Sequence, residues 1–241
     1  MWNGKTVSVI LPTYNERDSI VECIHDFFDT GLVDEIVVVN NNAVAGTSEE
    51  IRKTNAKEVF ESKQGYGHAI RRGFQEVLGD IIIISEPDGT FSGHDIKKLL
   101  AYSEDFNAVL GTRTTNLLIW EGANMGMLIK WGNWAVAKMM EFLFNTTTLT
   151  DVGCTMRLIK RNELVKIVDK FTVGGSHFGV EMMLLIILNR IKFIEIPVNY
   201  KPRVGKSSVT GSKIKAIQLG LTMVWTIMKY KILSISLKKF K

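Results

Sequence analysis

Four consecutive isoleucines, Ile81 to Ile84, constrain the fold of this chain more than any other feature. A run of β-branched residues without polar alternation is typical of a strand that is buried on both faces, as in parallel sheets. Two acids, Glu86 and Asp88, come directly after the run, and Gly89 follows them. Ligands bind at the carboxyl ends of such strands, and two carboxylates there suit Mg²⁺ or Mn²⁺ carrying a phosphate. The alternative is a helix-capping turn with solvated acids.

Segments with strand and helix patterns alternate along most of the 241 residues. The apolar runs predict seven strands, at Val7–Leu11, Glu35–Asn40, Lys57–Glu61, Asp80–Ser85, Ala108–Gly111, Met156–Ile159 and Phe193–Pro197. Between the first four strands, Ser19–Phe28 and Gly67–Leu78 have helical spacing. This alternation favours an α/β fold with a mostly parallel twisted sheet and helices on both faces. We expect one domain over residues 1–211 and an added segment over residues 212–241.

The composition is that of a globular protein, with 46% hydrophobic residues and charges of both signs. The two cysteines, Cys23 and Cys154, predict neither a disulfide framework nor a zinc cluster, and they fit a reducing compartment. The first residues lead straight into the first predicted strand, so we expect no cleavable signal.

Basic residues concentrate at the C-terminal end. From Lys201 onward there are ten Lys or Arg and no Asp or Glu. Since the whole chain has 30 basic and 25 acidic residues, residues 1–200 hold 20 and 25, a net charge of −5. This asymmetry indicates an anionic partner or surface. A nucleic acid is disfavoured, because the aromatic residues of this segment follow an apolar helix face and form no stacking platform among the lysines.

The residues after Ser212 have the periodicity of an amphipathic helix. Its apolar positions are Ile214, Ile217, Leu221, Val224, Trp225, Met228 and Ile232, and Lys215, Gln218, Thr222 and Lys229 lie on the opposite face. The longest uncharged run has 13 residues, fewer than the ~20 that span a bilayer. Three roles stay open: packing on the core, lying in an anionic membrane interface, or pairing with a second copy of the chain.

The ends of the predicted strands carry residues that suit a nucleotide. After the first strand, Pro12 stiffens a turn in which Tyr14 offers a ring for base stacking and Glu16 a hydrogen-bond acceptor. Asn40 ends the second strand, and Gly67 lies in a glycine-bearing turn before a helix, where the backbone can approach a phosphate. Taken singly, Glu16 is equally typical of a first helical turn and Asn40 of an ordinary turn.

In this order, the motifs from about Val7 to Ser208 resemble the nucleotide-sugar half of family 2 glycosyltransferases. The resemblance is closest to the dolichyl- and polyprenyl-phosphate sugar transferases. It implies a GT-A fold, a nucleotide-sugar donor, and Mg²⁺ or Mn²⁺ held by Glu86 and Asp88. The donor-binding residues that it implies are Pro12, Tyr14, Glu16, Asn40, Gly67, Glu86 and Asp88.

The chain departs from the family pattern at four positions. Asn40 and Ala45 stand where relatives usually carry Asp. Glu86 replaces the usual Asp, and Thr90 replaces the more frequent Gln. The longer arm of Glu86 still reaches a metal, and a donor diphosphate supplies much of the coordination.

The resemblance also covers the acceptor side. Residues 196–208 look like the family's Arg-x-x-Gly-x-Ser segment with one residue fewer before the Gly, and residues 151–157 loosely match its Asp-x-x-(Ser)-Gly-Phe-Arg stretch. A phosphate monoester acceptor is mostly dianionic at neutral pH, so it needs cations more than a general base. We expect the acceptor phosphate to bind Arg113, Lys130, Arg157, Arg203 and Ser207. The residues expected to act in catalysis are Asp88, Arg113, Lys130, Asp151, Arg203 and Lys206.

The main alternative is a family 2 transferase that acts on a sugar hydroxyl of a glycan or glycolipid. Such an acceptor needs a general base, for which Asp151 and Glu181 are the candidates. With a phosphate acceptor, Asp151 is instead expected to orient Arg157 or Lys130, and Glu181 to start a helix.

The leading hypothesis is an inverting, metal-dependent transfer of a sugar from a nucleotide donor to a polyprenyl phosphate, by a peripheral protein at the cytoplasmic face of a membrane. The apolar segment Met125–Phe144 either lines a path for the isoprenoid tail or belongs to the core. A non-catalytic nucleotide-sugar-binding protein is a further alternative, which Asn40 and Ala45 favour.

Overall fold

The computed structural model describes residues 1–123, 125–205 and 213–238, and its seven strands form one mixed sheet. The strands are β1 (Val7–Thr13), β2 (Glu35–Asn40), β3 (Lys57–Phe60), β4 (Ile81–Ile84), β5 (Ala108–Thr112), β6 (Arg157–Lys160) and β7 (Phe193–Pro197). Their order across the sheet is β3-β2-β1-β4-β6-β5-β7. Neighbouring strands are parallel except at β6, which is antiparallel to both β4 and β5. The predicted mostly parallel sheet is confirmed.

The α-helices are α1 (Ile20–Phe28), α2 (Thr47–Ile51), α3 (Tyr66–Glu76), α4 (Ile96–Tyr102), α5 (Met127–Phe144), α6 (Arg161–Leu164), α7 (Phe178–Leu188) and α8 (Lys213–Lys238). Short 3-10 turns cover Gly93–Asp95, Asn116–Leu118 and Val168–Lys170. The two helices predicted from spacing correspond to α1 and α3, within two residues at each end.

The four isoleucines of β4 divide between two hydrophobic cores, one on each face of the sheet. Ile82 and Ile84 pack in the core that α3, α5, α7 and α8 cover, whereas Ile81 and Ile83 pack in the core that α1 and α4 cover. Successive side chains of a strand point to opposite faces, so an unbroken apolar run is what a strand covered on both sides requires. Helices on both faces of the sheet are therefore confirmed.

Strand β1 is two residues longer than its apolar run predicts. Pro12 and Thr13 stay in register with Val39 and Asn40 of the parallel neighbour β2, so sheet pairing continues after the apolar pattern ends. The extra residues place the Tyr14 turn at the carboxyl edge of the sheet, level with the end of β2.

Helix α8 packs on α5 and α7 with a stripe that differs from the predicted one. Met223 and Ile227 are buried in the first core, but Ile217, Leu221 and Trp225 of the predicted face are 54%, 66% and 70% exposed. Residues 216–228 carry no charge, so the helix has two apolar stripes and only one contacts the core. Among the described residues, no helix combines the length and the hydrophobicity that crossing a membrane requires.

Candidate active site

A cavity of about 690 Å³ lies at the carboxyl ends of β1 and β4. Its polar end is lined by Tyr14 and Glu16 after β1 and by Glu86 after β4. Its other end runs between α5 and α8, where Ile129 and Leu219 contribute apolar surface. The strand ends that were predicted to carry ligand contacts therefore meet at one cavity, which continues into an apolar region.

The acidic pair after β4 lies at the base of the polar end. Asp88 is fully buried, and its Oδ1 accepts hydrogen bonds from the backbone N (2.9 Å) and Oγ1 (2.5 Å) of Thr90. Its Oδ2 accepts no well-directed hydrogen bond from the described residues. Gly89 turns the chain with φ +79°, in the left-handed region that favours glycine. Thr90 thus orients a buried carboxylate through one of its two oxygens.

The guanidinium of Arg203 lies among three carboxylates. Its Nη2 is 2.9 Å from Oε2 of Glu86 and also pairs with Oδ2 of Asp88, and its Nη1 is 3.8 Å from Oε1 of Glu16. The backbone on either side is fixed, because the N of Lys201 donates to Thr90 O (2.8 Å) and the N of Val204 to Asp88 O (2.9 Å). Arg203, predicted as a phosphate ligand, is thus paired with the acids of the expected metal site.

The acids of the polar end hold more negative charge than one arginine offsets. Burial, followed by the charge of Asp88, raises the pKa of Glu86 to about 8, although Arg203 lowers it. No group of three or more His, Cys, Asp or Glu in the described part of the chain is placed to hold a metal. Mg²⁺ and Mn²⁺ suit two carboxylates completed by phosphate oxygens and water. Glu86 and Asp88 therefore have the chemistry to hold such an ion, although Arg203 pairs with both in this structure.

The turn after β1 forms the mouth of the polar end. Oε2 of Glu16 accepts hydrogen bonds from the backbone N of Tyr14 (2.7 Å) and of Asn15 (2.9 Å). These hydrogen bonds close the turn, and Tyr14 remains 43% exposed at the cavity. The buried Pro12 also lines the cavity. Glu16 thus shapes the turn through one oxygen and faces Arg203 through the other.

Asn41 lines the cavity in place of Asn40, which was expected to contact the donor. The Asn40 amide is used within the protein: Nδ2 donates to Ser48 Oγ and Glu58 Oε1, and Oδ1 accepts from the N of Ala43. Asn41 lines the cavity, and its Oδ1 accepts from the N of Gly65 (2.7 Å). Asn40 therefore holds the loop in shape, and Asn41 joins this loop to the start of α3.

Gly67 permits a close backbone contact away from the cavity wall. A Cβ at this position would lie 2.4 Å from the carbonyl oxygen of Val173 and 2.9 Å from the carbonyl carbon of Gly174. The cavity is lined by the neighbouring Gly65 and Tyr66 instead. Gly67 thus lets the loop before α7 pack against the start of α3, which differs from the direct donor contact expected of it.

Arg113 and Asp151 form a buried bidentate ion pair in the wall of the cavity. Arg113 Nε is 2.8 Å from Oδ2 and Nη2 is 3.0 Å from Oδ1 of Asp151, with side-chain exposures of 9% and 2%. Burial alone would raise the pKa of Asp151, but the charge and hydrogen bonds of Arg113 hold it below its ordinary value. Asp151 was expected to orient Arg157 or Lys130, and the structure pairs it with Arg113.

Arg157 is a buried cation that lines the same cavity. Its Nε and Nη2 donate to the carbonyls of Cys154 (2.9 Å) and Val152 (3.1 Å), and its Nη1 donates to the Gly179 carbonyl. No carboxylate in the described ranges lies within ion-pair distance of it, and burial lowers its pKa. Carbonyl dipoles hold this guanidinium but leave its charge unneutralised, so it favours an anion in the cavity.

The structure does not bring three of the predicted site residues into this arrangement. Lys130 is outside the cavity wall, where its Nζ donates to Oδ1 of Asn116. Lys206 and Ser207 lie outside the described residues. Among the described residues, the cations that line the cavity are therefore Arg113, Arg157 and Arg203.

Glu181, a candidate base, is fully buried in α7. It accepts hydrogen bonds from the N and Oγ1 of Thr172, the N of Val173 and the OH of Tyr230 on α8 (2.7 Å). These contacts fix α8 and the loop before α7 to one carboxylate. Glu181 therefore acts as an anchor between elements, beyond the helix-start role expected of it.

Several residues that form the site were not among the residues predicted from the sequence. Asn41, Phe178 and Tyr200 line the cavity, and the Tyr200 ring lies 5.0 Å from the Arg113 guanidinium carbon. Glu195 in β7 accepts hydrogen bonds from Thr150 and from the N of Asp151, behind the Arg113 pair. Glu195 was detectable as a lone acid in an apolar strand, whereas nothing in the sequence distinguishes the others.

Comparison with known proteins agrees with this geometry. Residues 8–167 match the family described as glycosyl transferase family 2. A dolichyl-phosphate β-glucosyltransferase of Saccharomyces cerevisiae is 26% identical over 258 aligned positions, which cover 93% of this chain and 75% of that protein. Glycosyltransferase AglJ of Haloferax volcanii is 26% identical over 201 positions, 82% of this chain and 63% of that one. This chain thus spans less than two thirds of the archaeal relative.

Solved structures share the fold at low sequence identity. Glucosyl-3-phosphoglycerate synthase of Mycobacterium tuberculosis, crystallised with Mn²⁺, UDP and glucosyl-3-phosphoglycerate, superposes with a TM-score of 0.72 at 16% identity. The match covers 94% of this chain and 80% of that enzyme. The family match spans more than half of the described fold, including both strand ends of the acidic site. The chain therefore belongs to glycosyltransferase family 2 and is an enzyme of the GT-A fold.

Proposed function

We propose that this enzyme transfers a sugar, with inversion, from a nucleotide-sugar donor to a polyprenyl phosphate. The observation behind this proposal is that a single cavity contains an acidic end, a pair of buried arginines and an apolar end. These three regions match the diphosphate, the acceptor phosphate and the isoprenoid tail of the two substrates.

The donor is placed at the polar end. Tyr14 offers an exposed ring for the base, and Glu86 with Asp88 offers hard oxygens for a divalent ion. A bound Mg²⁺ or Mn²⁺ supplies Lewis-acid stabilisation of the departing diphosphate. The structural neighbour that was crystallised with Mn²⁺ and UDP supports a divalent ion and a nucleoside diphosphate as ligands of this fold.

The acceptor phosphate is placed beside Arg157 and Arg113. A phosphate monoester brings two negative charges at neutral pH, which the unneutralised charge of Arg157 favours. It attacks the anomeric carbon without first losing a proton, so the enzyme needs cations to hold it in line. Neither candidate base suits a hydroxyl acceptor, because Asp151 is paired with Arg113 and Glu181 accepts four hydrogen bonds.

The isoprenoid tail is placed between α5 and α8. Ile129 and Val136 of α5 face Leu219 and Val224 of α8 across this end of the cavity. The dolichyl-phosphate acceptor in the name of the yeast relative supports a lipid of this class. Ile217, Leu221 and Trp225, exposed beside it on α8, suit a membrane interface at the cytoplasmic face.

The test is a donor screen with Mn²⁺ and a short polyprenyl phosphate, with the matching polyprenol as control acceptor. The expected product is a lipid-linked sugar from the phosphate and none from the alcohol. R157Q should raise the KM for the polyprenyl phosphate about tenfold or more, whereas R52Q, at an exposed site, should not change it. Transfer to a sugar hydroxyl, or an R157Q enzyme with unchanged KM, would contradict the proposal.

A further inference from the structure

The guanidinium of Arg203 occupies the side of the acids that a metal ion would need. It contacts Glu86 and Asp88, the two proposed metal ligands, and Glu16 from the neighbouring strand end. Oδ2 of Asp88, which receives no well-directed hydrogen bond from the described residues, faces this guanidinium. A guanidinium and a divalent cation compete for these carboxylate oxygens, because two positive charges placed side by side on the same acids repel each other.

We propose that Arg203 is an internal counter-ion for the acidic site, which the metal–nucleotide complex displaces, and that the freed guanidinium then binds the acceptor phosphate. This inference rests on the proposed function and adds an order to it. The acids release Arg203 only when a divalent ion replaces its charge. The acceptor phosphate therefore gains this third cation only after the donor has bound.

The backbone around Arg203 supports a movement of the side chain alone. Lys201 and Val204 are hydrogen-bonded to Thr90 and Asp88, so the segment stays attached to the acidic turn. The Arg203 side chain is 19% exposed and lines the cavity that Arg113 also lines. A change of rotamer can thus carry the guanidinium from the acids toward the acceptor end without unfolding the segment.

Charge balance gives the direction of the exchange. With Arg203 in place, its one guanidinium faces three carboxylates, those of Glu16, Glu86 and Asp88. A divalent ion offers twice the charge of that guanidinium to the same oxygens, and the diphosphate that comes with it offers negative charge to the displaced guanidinium. The metal alone has to expel Arg203 without this help, so it should bind weakly.

The test measures Mn²⁺ binding by electron paramagnetic resonance, without activity. In the absence of nucleotide, R203Q should bind Mn²⁺ at least about tenfold more tightly than the unmodified chain, because the competing charge is gone. R203K keeps a charge on a shorter stem and should fall between the two. R17Q is the matched control, because Arg17 pairs with Asp18 at the surface, and its Mn²⁺ affinity should stay unchanged.

Equal or weaker Mn²⁺ binding by both R203Q and R203K would overturn the exchange. Binding of Mn²⁺ with UDP to D88N separates this outcome from a failure of the proposed function. If D88N binds the Mn²⁺–UDP complex as tightly as the unmodified chain, the metal site itself is misplaced and both proposals fall. If D88N loses that binding but R203Q gains nothing, only the exchange falls.

Discussion

Replacing Asp151 by Asn should destabilise the fold far more than its single lost charge suggests. The carboxylate accepts four hydrogen bonds: from the N and Nε of Arg113 at Oδ2, and from Nη2 of Arg113 and the N of Gly153 at Oδ1. An amide has one acceptor oxygen, so its NH₂ group would face two donors in either orientation. The Arg113 charge would also remain buried without a partner.

The size of the effect follows from burial. Breaking a buried ion pair by removing one partner costs about 3–5 kcal/mol. The Arg17–Asp18 pair has side-chain exposures of 50% and 73%, so D18N should cost only about 0–1 kcal/mol. For a chain of this size, D151N should therefore lower Tm by roughly 6–20 °C.

Urea unfolding followed by circular dichroism measures both variants. R113M/D151L, which removes both charges and retains apolar volume, should recover most of the stability lost in D151N. Its KM for the acceptor should nevertheless rise. If D151N and D18N lose the same free energy of unfolding, Asp151 is not the counter-ion of a buried Arg113 and this reasoning fails.

Three further changes test other contacts. Burial raises the pKa of Glu195 to about 7 from 4.5, so the folded chain retains a proton between these pH values that the unfolded chain has lost. The free energy of unfolding should fall by up to about 3 kcal/mol as pH rises through this window. Urea midpoints measured across the window should show this fall in the exposed-site control E49Q, and E195Q should lack it. A Cβ at Gly179 would lie 2.8 Å from Nη2 of Arg157, so G179A should lower kcat/KM about tenfold, whereas G175A, with its nearest atom at 3.6 Å, should not. Y230F removes a donor to buried Glu181 and should cost about 1.5–3 kcal/mol in urea unfolding; a loss below 0.5 kcal/mol would contradict the anchoring role.

The strands and the position of the acidic site were predictable because they depend on local pattern. Four isoleucines specify a strand that is covered on both faces, and residues after parallel strands must meet at one edge of the sheet. The proximity of Glu16 to Glu86 follows from this topology, since β1 and β4 are neighbours.

The pairings inside the site were not predictable, because they depend on side-chain packing across long sequence separations. Asp151 selects Arg113 over Arg157 through geometry that no spacing encodes. Asn40 and Asn41 differ only in which side of the strand end each faces, and three consecutive asparagines carry no signal for that choice. Likewise, α8 offers two apolar stripes, and the shape of α5 and α7 decides which one is buried.

The reversed direction of β6 has a consequence for how this enzyme can diversify. Because β5 and β6 are antiparallel neighbours, the 44 residues between them leave and re-enter the sheet at adjacent positions. This excursion contains α5 and brings Arg113, with its partner Asp151, and Asn133 to the cavity, but it contributes none of the acids at the strand ends of β1 and β4. Exchanging residues 113–156 between homologues should therefore change the acceptor specificity of the recipient enzyme and leave its donor specificity unchanged.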